Sequence, residues 1–528
     1  MTFGAHEDLV LLALLVALAV LLVLALKTRI PYPILLVLGG LTLGFVPGIP
    51  QLALPPDLVL VAILPPLVYS AAYFTSLRDL RQNVVQISAL AIGLVAATTV
   101  GVAAAAHYLI PGVGWGAAFV LGAIVSPTDP LAATTIAQRL GVRRRVVAIA
   151  EGESLINDGT ALVLYRVGVV AVVAGTYSVW DAGLRFVWST AGGVAVGLAV
   201  GYVIAEIRRR LDDPPVEVTI ALLSGYFAYL PAAAIGVSGV ISVVTVGVYM
   251  GWRTPELTTY QTRLDGQAMW QIFTFVVNAL LFALVGLQLH HIVNALSRSA
   301  GELLRDAVIV CGTVILTRIV WIFPLSYGTW VWWARRRGDE APPWQGPAVL
   351  SWMGLRGAVT LAAALALPLT TDAGHAFPNR DLIIFLAFAV IVATLVLQGM
   401  TLPAVIRLLG VEDDGLDEKE EAKARIHAAD AATARLEELV DEDWVRPETL
   451  ERMRGLMDFR RNRFAARFSP DDDGAIEERS QAYQRLMHEV LDAERGAVLQ
   501  LRREGRINDD VMRRVTRDLD LEEARLDS

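Results

Sequence analysis

Cysteine and charge are both scarce in this 528-residue sequence. Its single cysteine, Cys311, excludes an intrachain disulfide and leaves the redox compartment of the protein open. Charged residues make up 19% of the chain and hydrophobic residues 55%, whereas an average soluble domain is about 25% charged. With a mean hydropathy of +0.52, the composition indicates a membrane protein.

Two further absences narrow the class of membrane protein. No stretch alternates apolar and polar residues between turn signals, so the sequence does not predict a β-barrel. No small-residue cleavage site follows the apolar N-terminal run, so we expect a first membrane span there rather than a cleaved signal peptide. Apolar windows of about 20 residues recur instead, each long enough to cross a bilayer core of about 30 Å. The sequence therefore predicts an all-α polytopic membrane protein.

About thirteen membrane spans are expected from these windows. They lie near residues 8–26, 32–49, 57–75, 84–109, 116–139, 146–174, 182–206, 216–233, 236–252, 266–288, 302–333, 345–371 and 381–409. One set of connecting loops carries seventeen Lys and Arg residues, whereas the alternate set carries four. Because basic loops stay in the cytoplasm, we expect an N-terminus outside, a cytoplasmic tail and a location in the plasma (inner) membrane.

The C-terminal region differs sharply in charge from the rest of the chain. Residues 412–528 carry 21 Lys and Arg against 32 Asp and Glu, whereas residues 1–411 carry 24 against 21. We therefore expect a transmembrane domain at 1–411 and a separate acidic tail at 412–528. The tail shows helix-like runs near 416–443, 448–468, 475–504 and 508–526, with a break at 469–474. It contains no nucleotide or calcium loop, and no cofactor is expected.

Charged residues inside the predicted spans are the main functional signal. Six ionisable residues lie within spans: Asp129, Glu153, Asp158, Arg166, Arg318 and Arg356. Each costs roughly 2.5–3.5 kcal/mol to place at the bilayer centre, so such residues mark function or a buried pairing. At 1.5 Å per helical residue, Asp129, Asp158 and Arg356 each lie roughly 18–21 Å along the helix from the predicted membrane face at which their span begins. Three separate spans thus place charge near the middle of the membrane.

Two of these spans are not plain helices. The span at 116–139 contains Pro127 and Pro130, which remove backbone donors. The span at 345–371 contains GLRG, residues 354–357. Broken helices in matching positions of two halves point to the midplane site of a transporter. They are the fifth and the twelfth predicted spans. An inverted repeat of spans 1–6 in spans 8–13 would place them in matching positions. The halves share no evident residue identity, so the repeat rests on this placement.

The helix through Asp158 offers oxygen ligands. Ser154 and Asp158 share one face at a spacing of four residues, and Glu153 and Asn157 share the adjacent face. Hard cations such as Na⁺ prefer carboxylate, hydroxyl and amide oxygens. Asp158 can bind a proton or a cation, and two ions that compete for one carboxylate are thereby exchanged. Arg356 is the partner expected for Glu153.

Three motifs in this order resemble the monovalent cation/proton antiporter-1 family. They are SPTDP at 126–130, EGESLINDGTALVLY at 151–165 and GLRGAV at 354–359. The family includes bacterial NhaP-type antiporters and animal Na⁺/H⁺ exchangers, and the similarity covers about residues 8–410. It implies a homodimer with two broken helices that cross.

The resemblance also implies a division of the transmembrane domain. Residues 8–75 and 216–288 would form the dimer part. Residues 84–174 and 302–409 would form a core that moves like an elevator during transport.

Site residues are carried over from the same motifs. The resemblance implies that Asp158 binds cation and proton with Asn157 beside it. Thr128 and Ser154 would be further ligands, which makes Asp158, Ser154 and Thr128 the expected Na⁺ site. An Asn-Asp pair is associated with electroneutral exchange of one cation for one proton.

Other residues would be structural. Glu153 and Arg356 would form an ion pair, and Asp129 would balance helix dipoles at the crossing; a direct ligand role for Asp129 stays open. Many relatives carry an acidic residue where this sequence has Ser70. That departure leaves the ligand count and the choice among Na⁺, Li⁺ and K⁺ open.

Several functions remain compatible with the residues alone. The expected partners are Na⁺ or Li⁺, with K⁺ as an alternative, together with H⁺ and membrane lipid; no nucleic acid partner and no enzymatic activity are expected. A K⁺/H⁺ antiporter would use the same site. A cation channel would need a pore-lining filter, and an intramembrane hydrolase would need a midplane histidine or paired aspartates. The alternative reading of the polar pair Asn157–Asp158 is a contact that joins helices, as polar side chains in membranes do.

Overall fold

The computed structural model describes residues 5–28, 30–45, 58–174, 179–294, 298–329, 331, 343–411, 415–466 and 475–526. Within these ranges the regular structure is helical, apart from one isolated β-bridge between Thr370 and Ala376. The predicted all-α fold class is confirmed.

The first eleven α-helices lead into the middle of the chain. They are α1 (Ala5–Thr28), α2 (Tyr32–Gly44), α3 (Leu64–Phe74), α4 (Leu77–Gln82), α5 (Val84–Ser88), α6 (Val95–Leu109), α7 (Trp115–Val125), α8 (Leu131–Arg139), α9 (Arg144–Ala174), α10 (Val179–Arg208) and α11 (Pro214–Ala234). Two π-helical segments, Leu58–Ile63 and Ala89–Leu94, run directly into α3 and α6.

Eleven further α-helices complete the chain. They are α12 (Gly239–Leu257), α13 (Tyr260–Asn294), α14 (Ala300–Thr329), α15 (Gln345–Trp352), α16 (Ala358–Leu365), α17 (Arg380–Ala393), α18 (Gly399–Leu409), α19 (Leu416–Glu438), α20 (Pro447–Ala466), α21 (Ala475–Arg503) and α22 (Asp509–Leu526). A π-helical segment, Thr394–Gln398, joins α17 to α18.

Seven described helices are long and apolar enough to cross a membrane. They are Val84–Leu109, Arg144–Ala174, Gly183–Arg208, Pro214–Ala234, Tyr260–Leu287, Ala300–Gly328 and Arg380–Leu409. Shorter apolar helices occupy Val16–Thr28, Tyr32–Gly44, Leu60–Phe74 and Trp115–Val125. Helical structure occurs at each predicted span, although the predicted ends at 46–49 and 332–333 lie outside the described residues. The number of membrane crossings stays a prediction.

Side-chain caps and glycine turns explain where several helices begin and end. Ser76, Asp213 and Ser238 each accept a hydrogen bond from the backbone N–H three residues later, which satisfies a donor at the helix N-terminus. Gly236, with a φ of +77°, makes the turn between α11 and α12. The short loop there therefore separates two helices, as the sequence predicted.

Glycines allow the helices to approach closely. Gly40 of α2 faces the carbonyl of Ala283 in α13, and Gly286 of α13 faces the carbonyl of Val37 in α2. Any side chain on either glycine would overlap that backbone. Small residues are the usual means of packing membrane helices, since lipid supplies no hydrophobic force between them. The pair α2–α13 is thus held backbone to backbone.

The chain divides into two compact units, residues 1–413 and 414–528. In the second unit α19 packs on α20, and α21 packs on α22. Arg454 pairs with Glu437 at 2.7 Å between the first two helices, and Arg495 pairs with Asp520 at 2.6 Å between the last two. The four helices agree with the four runs predicted for the tail, whereas the predicted break at 469–474 lies outside the described residues.

Candidate ion-binding site

Two interrupted helices meet at the predicted midplane. Residues 126–130 separate α7 from α8, and residues 353–357 separate α15 from α16. The Asp129 backbone N–H donates to the Leu355 carbonyl at 2.8 Å, so the two breaks touch. The prolines and glycines predicted to interrupt these helices do so. Irregular backbone at this depth is tolerated where it is buried in protein or lines a cavity.

Asp129 lies at the N-terminal ends of two half-helices. Its Oδ1 accepts a hydrogen bond of 3.0 Å from the backbone N–H of Leu131, the first residue of α8. Its Oδ2 occupies the space that a side chain on Gly357, just before α16, would fill. Helix N-termini carry partial positive charge, so this carboxylate stabilises both ends at once.

Arg356 lies at the C-terminal ends of the other two half-helices. Its Nε donates to the carbonyl of Val125, the last residue of α7, at 3.1 Å. Its Nη1 donates to the carbonyl of Gly354, just past α15. Its backbone N–H donates to Thr394 Oγ1 at 3.1 Å. A cation at two helix C-termini is electrostatically the counterpart of Asp129 at the N-termini.

The expected ion pair between Glu153 and Arg356 is wrong. Glu153 pairs instead with Arg318 of α14: Arg318 Nη2 lies 2.9 Å from Glu153 Oε2, and Arg318 Nη1 contacts Glu153 Oε1. The same guanidinium donates to the Leu350 carbonyl at 3.0 and 3.3 Å. Arg356 is unavailable because the open carbonyls of the broken helices hold its donors.

A chain of hydrogen bonds runs from this ion pair to the first break. The Thr128 hydroxyl donates to Glu153 Oε1 at 3.2 Å and accepts from Asn157 Nδ2 at 2.8 Å. The Ser154 hydroxyl donates to the Thr128 carbonyl at 2.7 Å. Asn157 is fully buried, and its Oδ1 has no hydrogen-bond partner. The network fixes α9 against the break and leaves lone pairs on Ser154 and Asn157.

Asp158 is partly buried and differs from the buried carboxylate of Glu153 in having no partner. No described residue donates a hydrogen bond to it or pairs with it. It lines a cavity of about 480 Å³ together with Thr128, Asp129 and Ser154. Ser70 lies in the wall of the same cavity. The predicted residues are thus brought together, except that Asn157 lies behind Thr128 and is not part of the wall.

The arrangement can hold a hard cation or a proton. An unpartnered carboxylate and hydroxyl oxygens face a cavity, and oxygen ligands of this kind suit Na⁺. Sequence reasoning placed Arg318 among the buried charges but missed its partner. The pairing could have been considered from the sequence, because a buried arginine needs a carboxylate partner. The acids inside the predicted spans are Glu153, Asp129 and Asp158.

Two crossing interrupted helices beside an unpartnered, partly buried carboxylate are features of secondary transporters. The chain belongs to the sodium/hydrogen exchanger family, since the family model for the transmembrane region, described as "Sodium/hydrogen exchanger, transmembrane", matches residues 10–408. The resemblance drawn from the three motifs is confirmed. The protein is therefore a multi-pass membrane protein of a family of sodium/proton antiporters, which are transporters and not enzymes.

Individual relatives agree with the family. The chain is 37% identical over 523 residues to an uncharacterised Na⁺/H⁺ exchanger of Mycobacterium tuberculosis, covering 98% of this chain and 96% of that protein. It is 32% identical over 386 residues to a sodium, potassium, lithium and rubidium/H⁺ antiporter of Bacillus pumilus, covering 71% of this chain and 57% of that protein. The structure of the sodium proton antiporter MjNhaP1 from Methanocaldococcus jannaschii matches with a TM-score of 0.60 at 18% identity, covering 77% of this chain and all of that one. This structural similarity concerns the fold.

Proposed function

We propose that the protein exchanges Na⁺ or Li⁺ for H⁺, and that the two ions compete for Asp158. The observation that carries the proposal is the unpartnered Asp158 carboxylate in the cavity wall, whereas the neighbouring acid of α9, Glu153, lies outside that wall and is neutralised by Arg318. Binding a cation displaces the proton, and binding the proton displaces the cation. Each ion therefore crosses only in exchange for the other.

Thr128 and Ser154 would complete the first set of Na⁺ ligands. Both line the cavity beside Asp158, and the Ser154 hydroxyl donates to the Thr128 carbonyl, so its lone pairs remain available to a cation. Asn157 would hold Thr128 in place without adding a second negative charge. With one titrating carboxylate, one monovalent cation exchanges for one proton, and the cycle is electroneutral.

Alternating access would be of the elevator type in a homodimer. We assign residues 8–75 and 216–288 to the static dimer part and residues 84–174 and 302–409 to the moving core, with 1–411 as the transport domain. The close α2–α13 contact joins two helices of the proposed dimer part. The Asp129–Leu355 contact joins the two breaks of the proposed core.

Orientation follows from the basic loops. We propose that the protein lies in the plasma membrane with its N-terminus outside and residues 412–528 in the cytoplasm as a separate region. Gln138 and Glu151 line the cavity close in sequence to Arg139 and Arg144, on the side assigned to the cytoplasm. The cavity would then face inwards, and the physiological role would be pH and sodium homeostasis.

K⁺/H⁺ exchange is the second candidate function. It is favoured by the name of the Bacillus pumilus relative, which includes potassium and rubidium, and by Ser70, which lines the cavity where many relatives place an acid. A cation channel is a third candidate and would conduct without moving protons. Saturable cation flux that is coupled to proton movement in the opposite direction separates an antiporter from a channel.

Proton flux in proteoliposomes tests the proposal. Vesicles with an imposed pH gradient receive Na⁺, Li⁺ or K⁺, and wild type is compared with Asp158→Asn. The control is Asp381→Asn, which neutralises an exposed acid at the start of α17. We expect Na⁺ or Li⁺ to dissipate the gradient through wild type and the control but not through Asp158→Asn. The rate should not change when valinomycin clamps the membrane potential.

The outcomes separate the candidates. A response to K⁺ alone keeps the exchange mechanism and changes the cation. Wild type that is silent at every pH, or Asp158→Asn that is as active as wild type, overturns the proposal.

A further inference from the structure

Thr360 lines the cavity and carries a buried hydroxyl, and no sequence motif assigns it a role. It is the third residue of α16, whose N-terminus is the second break, and it is 1% exposed. It lines the same cavity as Asp158, Thr128 and Ser154. It comes from the opposite interrupted helix, one turn beyond Gly357.

The Thr360 hydroxyl has no hydrogen-bond partner, unlike the other threonines of the cavity wall. Helical threonines usually satisfy their hydroxyl by donating to the carbonyl four residues earlier. Thr134 does so to Pro130 at 3.0 Å, and Thr274 does so to Trp270 at 2.7 Å. For Thr360 the corresponding residue lies in the non-helical break, and no described group takes its place.

A buried hydroxyl without a partner is costly, at about 1–3 kcal/mol. Such a group in a native protein calls for an explanation. Here the unpartnered hydroxyl belongs to a residue in the wall of a site where a hard cation needs several oxygen ligands. Ser70 supplies a hydroxyl and no carboxylate to the same wall.

We propose that Thr360 supplies a further oxygen ligand to the transported cation and helps to set cation affinity. The proposal rests on the proposed function and deepens it. Each interrupted helix then contributes one threonine, Thr128 from the first and Thr360 from the second. The cation is held across the crossing, and its arrival satisfies a hydroxyl that is otherwise unpaired.

Three variants test this role. Thr360→Val keeps the side-chain shape but removes the oxygen, and Thr360→Ser keeps the oxygen. Thr274→Val is the matched control, because it removes a hydroxyl from the same wall that is already bonded to Trp270. The apparent KM for Na⁺ and the maximal flux are measured in proteoliposomes. Stabilisation by Na⁺ is measured from the melting temperature of purified full-length protein.

We expect Thr360→Val to raise the apparent KM for Na⁺ about tenfold, as loss of a contact to a charged group does. The maximal flux should change little, the melting temperature without Na⁺ should not fall, and stabilisation by Na⁺ should weaken. Thr360→Ser and Thr274→Val should remain within about twofold of wild type.

Three results would overturn the inference. The first is a KM for Thr360→Val within twofold of wild type. The second is an equal rise in Thr274→Val. The third is a loss in Thr360→Ser as large as in Thr360→Val, which would indicate packing and not ligation. Wild type that neither transports any alkali cation nor is stabilised by one overturns the proposed function as well. Failure of the Thr360 proposal alone leaves transport by wild type intact.

Discussion

Replacing Arg318 by Met should leave the Glu153 carboxylate buried without its cation. Both side chains of the pair are at most 2% exposed. The guanidinium makes a two-pronged contact with Glu153 and donates twice to the Leu350 carbonyl, so the variant loses these four hydrogen bonds. Glu153 Oε1 keeps the hydrogen bond from the Thr128 hydroxyl. Met preserves the length and apolar stem of the side chain, so the loss is one of charge and hydrogen bonding.

The size of the expected destabilisation depends on the Glu153 charge that remains buried without a partner. Removing one partner of a buried ion pair costs about 3–5 kcal/mol, because the other is left uncompensated. We expect Arg318→Met to lower the free energy of unfolding by about 4 kcal/mol. Glu153→Gln combined with Arg318→Met should recover part of that loss, since no charge then remains buried.

Unfolding of the purified protein in mixed micelles of increasing SDS fraction measures these free energies. The four proteins of the double-mutant cycle are compared with Arg305→Met, a control in the same helix. Arg305 is half exposed, and its partner Asp306 keeps a second arginine, Arg298, at 2.7 Å. Arg305→Met should lower the free energy of unfolding by less than about 1 kcal/mol.

Two results would refute this assignment of the pair. One is a cost for Arg318→Met no greater than that of Arg305→Met. The other is a larger coupling energy between Glu153 and Arg356 than between Glu153 and Arg318, measured in a second cycle with Arg356→Met.

Two other predictions follow from the glycine at the crossing and from the tail. Gly357→Ala should abolish cation-driven proton flux, because its methyl group overlaps the Asp129 carboxylate, whereas Gly301→Ala, with open space around it, should leave the flux unchanged. In the tail, the hydrogen bond from Arg495 holds the pKa of Glu523 below its usual range. That pair therefore contributes to the α21–α22 contact at neutral pH and loses its contribution as the pH falls through the lowered pKa. The protection factors of the α22 amides against hydrogen exchange should fall below about pH 4 in wild type, and Arg495→Ala should remove that component.

Much of the fold could be predicted because membrane helices carry a strong local signal. An apolar window must form its backbone hydrogen bonds within itself, so its position in the chain largely determines a helix. Pro127 and Pro130 interrupt a helix by local chemistry, whichever helices surround them. The proposed ligands of α9 could also be predicted locally, because helical spacing alone places Ser154 and Asp158 on one face.

The partner of Glu153 could not be predicted in this way. Two buried arginines were available, and the correct one lies 165 residues away in the chain. The choice depended on which guanidinium was already engaged, and the Val125 and Gly354 carbonyls engage Arg356 only once the two breaks cross. The unpaired hydroxyl of Thr360 was equally hidden, because a threonine in an apolar helix normally bonds to its own backbone.

The sequence by itself determined where the helices lie, which two are interrupted and which carboxylate, Asp158, is a candidate for ion exchange. These properties depend on local backbone chemistry and on the high cost of charge in an apolar helix. The tertiary structure decided how the charges are distributed among partners. Asp129 lies at two helix N-termini, Arg356 lies at two C-termini, and Arg318 neutralises Glu153. Pairing depends on distances between segments far apart in the chain, and only the folded packing of the helices sets those distances.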